Sequence, residues 1–185
     1  MKIKRGTYQI LRVDGSEEFI ERKPNLGTIK REIGCDCIDT VTIDRKFETI
    51  MIVDDTGMID GKPVNPKATE LYWKVCRPGA WPIHGDVAIC NDEDCRMTTT
   101  GVAKITGATP RMLQYWDEQG ILCPDRNGHG RQYSAEQVVI VERAMALKTA
   151  GIKVRAIHLA KLTDIAPGRL RALALELRNI GIKMS

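Results

Sequence analysis

The pattern of apolar and polar positions marks three strand-like stretches in the first half of the chain. Tyr8-Gln-Ile-Leu-Arg-Val13, Ile38-Asp-Thr-Val-Thr-Ile43 and Phe47-Glu-Thr-Ile-Met-Ile-Val53 are rich in β-branched and aromatic residues, and the turn-forming Asp54-Asp-Thr-Gly57 closes the third. Each is expected to be a strand. Asn65-Pro66 then offers an N-cap followed by a first-turn proline, and Leu71, Tyr72 and Val75 fall on one helical face, which predicts a helix near residues 66–76. Asn25 is placed to cap a shorter helix running to Gly34. Strands with two interspersed helices predict a small α+β domain.

The second half reads as helical throughout. Thr100 is the expected cap of a helix carrying Val102 and Ile105, Gly107 breaks it, and Thr109-Pro110 starts another. Ser134 and Gln137 form a capping box for a longer helix whose Val138, Val141, Met145 and Leu147 face a core and which stops at Gly151. A fourth helix is expected over about 154–163. Beyond it Leu170, Leu173, Leu177 and Ile180 form an apolar stripe that suits a partner surface. The polar run Cys90-Asn-Asp-Glu-Asp-Cys-Arg-Met-Thr-Thr-Thr100 separates the two patterns, placing the boundary near Met97 and giving domains of 1–97 and 98–185.

Composition is that of an ordinary globular protein, with 43% hydrophobic and 28% charged residues among 185. No run approaches the length of a membrane span, and the opening Met-Lys-Ile-Lys-Arg-Gly lacks the apolar core of a signal peptide, so the expected location is the cytoplasm, without membrane contact. In that reducing compartment the six cysteines are expected to be free thiols. The net charge of +4 conceals an asymmetry. Residues 1–97 hold 15 Lys/Arg against 17 Asp/Glu, whereas residues 98–185 hold 13 against 7. A polyanion would bind the second, basic half.

The stretch Val102-Ala-Lys-Ile-Thr-Gly-Ala-Thr-Pro-Arg-Met-Leu-Gln-Tyr-Trp-Asp-Glu-Gln-Gly-Ile-Leu-Cys-Pro124, with Gly130-Arg-Gln-Tyr-Ser134 after it, resembles the winged helix-turn-helix of the MerR family over residues 98–163. That family runs from an opening helix through a turn ending in Gly to Arg, Leu, two aromatics, an acidic residue, Gly-Leu-Leu, a proline, a wing with Arg and Tyr, and a Ser-capped helix. The resemblance implies that the small α+β domain is followed by an all-helical winged helix-turn-helix that binds double-stranded DNA. It points most directly to Arg111 and Tyr115, and matches the family's Arg-x-Tyr with Arg131 and Tyr133. Many relatives have a basic residue where this chain has Gln114, and a second Tyr where it has Trp116.

Residue chemistry agrees with the resemblance. Arg111, Gln114 and Tyr115 lie within one turn, on or beside the outer face of their helix, while Met112, Leu113 and Trp116 can pack inward. Arg111 suits a forked contact to guanine or phosphate, Gln114 suits adenine, and the Tyr115 hydroxyl suits phosphate. Asp125-Arg-Asn-Gly-His-Gly-Arg131 supplies the glycines of a hairpin tip and two guanidiniums, and reads as the wing. Lys104, Arg126, His129 and Lys153 complete the candidate DNA-binding set, each weighed against a merely solvated surface side chain.

Metal and catalytic readings have less to stand on. Cys35-Asp-Cys37, Cys90, Cys95 and the nearby His84 do not have zinc-ribbon spacing, and no cysteine follows Cys123, where metal-sensing MerR relatives carry theirs. No metal and no cofactor are expected. Three histidines, no phosphate-cradling loop and no nucleophile beside a base give no enzyme mechanism; the paired Asp54-Asp55 reads as a turn. In the first half, Ile33-Gly34, Val53-Asp54-Asp55-x-Gly57, Asn65-Pro66, Leu71-Tyr72 and Gly85-Asp86-Val87 resemble a small uncharacterised domain of phage and plasmid proteins. It is expected to bind a protein or small-molecule partner or to dimerise the chain. The overall expectation is a homodimeric bacterial or phage transcription regulator, a repressor. An excisionase-like architectural recombination factor is the alternative, and a metal- or ligand-responsive sensor ranks lower.

Overall fold

The structure, a computed structural model, describes residues 3–77, 79–128 and 130–149. The chain divides between Cys95 and Arg96 into two compact units. The first holds β1 (Tyr8–Leu11), β2 (Glu17–Ile20), α1 (Leu26–Glu32), β3 (Ile38–Asp44), β4 (Thr49–Asp54), α2 (Pro66–Val75), β5 (Val87–Asn91) and a short 3-10 helix, Asp92–Cys95. The second holds β6 (Met97–Thr98), α3 (Thr99–Thr106), α4 (Pro110–Glu118), β7 (Asp125–Asn127), β8 (Gly130–Tyr133) and α5 (Ala135–Thr149). Among the described residues no helix is long and apolar enough to cross a membrane.

In the first unit the strands form one antiparallel sheet in the order β2-β1-β5-β4-β3. Strands β1, β4 and β5 are buried along their whole length, so both sheet faces are covered. On one face Leu11, Met51, Val53, Val87 and Ile89 pack with Ala68 of α2 and with the half-buried Leu71 and Tyr72. On the other face lies Tyr8, whose hydroxyl donates to Glu32 Oε2 on α1 at 2.6 Å, and Leu26 and Ile29 of α1 are fully buried. The predicted caps hold both helices: Asn25 accepts from Thr28 N and Asn65 from Ala68 N. Asn65 does more than cap. Its fully buried amide also donates to Leu11 O at 3.0 Å and Gly85 O at 3.1 Å, joining α2 to the end of β1 and to the loop before β5. Asp54 makes the expected turn by accepting from Thr56, and it ion-pairs with Lys62.

Strands β2 and β5 were not expected: β2 opens with two glutamates, and β5 is a short run, Val87-Ala-Ile-Cys-Asn91, that does not alternate. The second unit corrects the all-helical expectation. It contains a three-stranded antiparallel sheet, β6-β8-β7, in which Met97 and Thr98 pair with Tyr133 and Gln132. The cap of α3 is Thr98, which accepts from Gly101 N at 3.2 Å; in a run of three threonines the strand pairing of Thr98 fixes where the helix begins. The helix expected over 154–163, the apolar stripe Leu170, Leu173, Leu177 and Ile180, and Lys153 lie outside the described residues.

Candidate nucleic-acid interface

Gly107 ends α3 in the left-handed conformation at φ 74°, a position that suits a residue without Cβ, and Thr109 reopens the helix two residues on by accepting from Met112 N at 3.2 Å. Helix, tight turn and second helix follow from these two local signals. Leu113 and Trp116 of α4 are buried, as expected, and Met112 is half-buried. Arg111, Gln114, Tyr115 and Glu118 recur every three to four residues on the opposite, exposed face, and Tyr115 is 51% exposed. Gln114 Nε2 donates to Glu118 Oε1 at 2.8 Å, which fixes the amide along the helix surface.

The hairpin of β7 and β8 stands beside this face. Its register puts Arg126 directly opposite Arg131, a like-charge cross-strand pair that costs stability when nothing neutralises it. Asp117 of α4 provides the neutralisation. One oxygen, Oδ2, accepts from Arg131 Nε at 2.6 Å and from the more exposed Arg126 at 2.8 Å, and this contact holds the Arg131 guanidinium firmly in its charged form. At the other end of β7, Asp125 pairs with Arg96. The hairpin is thus clasped to α4. Between them lies a cleft of about 630 Å³, lined by Thr99, Pro110, Arg111, Gln114, Tyr115, Glu118 and Arg131.

Arg111, Gln114, Tyr115 and Arg131 are therefore brought together around one concavity, and Arg126 is exposed on the neighbouring strand. Lys104 is exposed on α3 and does not line the cleft. His129 and Lys153 lie outside the described residues. Tyr133 is a correction. It is fully buried, and burial pushes its phenol pKa up, with the Thr99 hydroxyl acting in the opposite direction. Arg131 and Tyr133 stand on the same face of β8, toward the helices; only the longer arginine reaches solvent, so Tyr133 supports the wing rather than touching a duplex. Asp117 was not among the expected site residues, although the acidic position after the two aromatics marks it in the sequence.

The charge asymmetry is distributed unevenly within the second half. Residues 98–149 hold 6 Lys/Arg against 5 Asp/Glu, so most of the basic excess of the second half belongs to residues 150–185.

Comparisons with known families assign both units. Residues 97–161 match the MerR HTH family regulatory protein model, which marks the second unit as the DNA-binding helix-turn-helix of a transcription regulator. Residues 7–110 match the domain of unknown function (DUF3846), over more than half of the chain and past the division into α3 and the start of α4. No curated protein and no solved structure matches the chain. The chain belongs to the family defined by the domain of unknown function (DUF3846), and carries a MerR-type helix-turn-helix in its second half.

Proposed function

We propose that the protein binds double-stranded DNA sequence-specifically, with α4 reading the major groove and the wing following the adjacent backbone, and that it represses transcription as a homodimer. The single observation that carries this reading is the exposed stripe Arg111, Gln114 and Tyr115 facing Arg131 across one cleft. A forked guanidinium, an amide and a phenol in that order supply donors for a guanine edge, an adenine edge and a phosphate. A single winged helix reads too few base pairs to select one site in a genome, so two copies on adjacent half-sites are required. The first unit serves as the partner-binding or dimerising module; Phe19 and Trp81, exposed by 70% and 75%, offer it contact surface.

The test is selection of bound fragments from random-sequence duplex DNA by the full chain, followed by titration of the enriched site over a range of salt. One enriched motif with two half-sites, bound with a steep salt dependence, supports the reading. No enrichment, or enrichment that survives the combined Arg111→Ala and Arg131→Ala changes, refutes it.

A further inference from the structure

Two of the six cysteines meet in the first unit. Cys90 lies at the centre of the sheet, its strand paired on both sides, and Cys95 closes the short 3-10 helix that follows. Both are buried, and their sulfurs are 2.7 Å apart. The chain between them is anchored residue by residue: Asp92 N donates to Glu48 O at 2.8 Å, Glu93 N to the Asn91 side chain at 3.0 Å, and Asp94 Oδ2 accepts from Gly6 N at 2.7 Å. The fold therefore delivers two thiols into direct contact, one from the central strand and one from the end of the 3-10 helix. Exposed Cys123, by contrast, makes a weak hydrogen bond to Gly120 O at 4.0 Å and meets no second cysteine among the described residues.

We propose that Cys90 and Cys95 are a redox modification site, joined into a reversible intramolecular disulfide by exchange with a low-molecular-weight disulfide. In the first step the Cys95 thiolate attacks one sulfur of that disulfide. The small molecule's S–S bond breaks, one half leaves as a thiolate and takes up a proton, and Cys95 carries the other half as a mixed disulfide. In the second step Cys90 gives up its proton and attacks Cys95 Sγ, expelling the second half as a thiol. Two protein thiols are oxidised and one small disulfide is reduced to two thiols. The order follows from position: Cys90 is held within the central strand, paired on both sides, whereas Cys95 ends the 3-10 helix, and the hydrogen bond to Cys95 and burial push the Cys90 thiol well up. Burial makes entry slow and the finished bond hard to reach. The bond ties the last residue of the first unit to its central strand, immediately before the chain enters the DNA-binding unit at Arg96.

The experiment uses the full reduced chain exposed to oxidised glutathione, then denatured, blocked with N-ethylmaleimide and digested with trypsin without reduction. The peptide spanning residues 75–96 contains Cys76, Cys90 and Cys95. The expected product has lost two hydrogens, carries maleimide or glutathione on Cys76, and yields no fragment ions between Cys90 and Cys95. Maleimide on both Cys90 and Cys95 once Cys123 has fully reacted overturns the proposal, as does a glutathione adduct that persists on either of the pair. A second measurement compares Tm before and after oxidation. The wild-type chain gains stability because a closed loop restricts its unfolded state, and Cys95→Ala gains none. An equal gain in Cys95→Ala places the effect elsewhere and overturns the assignment.

Discussion

Replacing Asn65 by alanine tests how the first unit is held together, and its cost follows from three hydrogen bonds. The side-chain oxygen caps α2 through Ala68 N, and the amide nitrogen donates to Leu11 O and Gly85 O in a fully buried position. Loss of the cap is worth about 1 kcal/mol. Each buried carbonyl left without its donor adds about 1 kcal/mol at the low end of the usual range, because a carbonyl retains a second lone pair for other partners. Asn65→Ala is therefore expected to destabilise the unit by about 3 kcal/mol, a fall in Tm of roughly 12–24 °C for a domain of this size. Asn65→Asp sharpens the test. It keeps the cap but turns an oxygen toward two carbonyl oxygens in a buried site, where the ionised form is disfavoured. At neutral pH it should cost at least as much as alanine. The introduced carboxyl has a folded-state pKa above its unfolded value, so the lost stability returns as pH falls through that folded pKa. Thermal unfolding followed by circular dichroism, with hydrogen exchange on α2 and β1 peptides to assign the transition, reads both effects. A loss below about 1 kcal/mol for alanine, or an aspartate variant as stable as wild type at pH 7, would show that Asn65 is not the joint described, since a cap and two buried carbonyl partners lost together cost more than that.

At the interface, Arg111→Ala is expected to weaken specific binding by about 1–3 kcal/mol, roughly 5- to 150-fold, with the fold intact; wild-type affinity in a mobility-shift titration defeats the recognition-helix assignment. Asp117→Asn frees two guanidiniums from their shared carboxylate, so binding to non-specific duplex should hold or tighten while preference for the selected site falls; unchanged preference argues that the clasp does not position the wing. Gly57→Ala places a Cβ 2.8 Å from the backbone oxygen of His84, a contact that only a shift of the main chain can relieve, and the first unit should lose stability in a denaturant titration; a neutral result would mean that the loop yields. The phenols of Tyr8, Tyr72 and Tyr133 are all pushed up, Tyr72 to about 12 by its hydrogen bond with Cys76 and by burial. The folded state favours their protonated forms, so the stability they contribute is complete below pH 10 and is lost as pH rises toward 12. Phenolate absorbance rising near pH 10 for all four tyrosines of the still-folded protein would contradict this.

The parts of the molecule written in local chemistry were legible in the sequence. Asn65-Pro66, Thr109-Pro110 and Ser134 with Gln137 each satisfy a helix start from within a few residues, and each helix begins there. The outer face of α4 was likewise readable from a period of three to four residues. What depends on distant partners was not. Strand β5 lies between β1 and β4, and its five residues, with Ala88 and Cys90 between Val87 and Ile89, neither alternate nor make a long β-branched run, so its place is set by the two strands that flank it. Strand β6 has only two residues, and its pairing with β8 comes from a segment more than thirty residues away. Tyr133 was misread for the same reason: its place in an Arg-x-Tyr motif is visible, but the helices that cover it are set by tertiary packing. Most of the clustered charge that drew attention to the second half lies beyond residue 149, so the signal for a polyanion and the geometry for reading it belong to different stretches of chain.

Strand β6 also sets the shortest piece of the chain that can carry an intact wing. A fragment begun at Thr99 would keep every helix of the helix-turn-helix yet lack the outer strand of its sheet, the Thr98 cap of α3, buried Met97 and the Arg96 pair with Asp125. Tyr133 would then lose its strand partner and open to water on one side. Any dissection of the protein, or transplant of its reading head onto another effector domain, must therefore cut at or before Arg96, through residues that a sequence alignment of the helices alone would discard as linker.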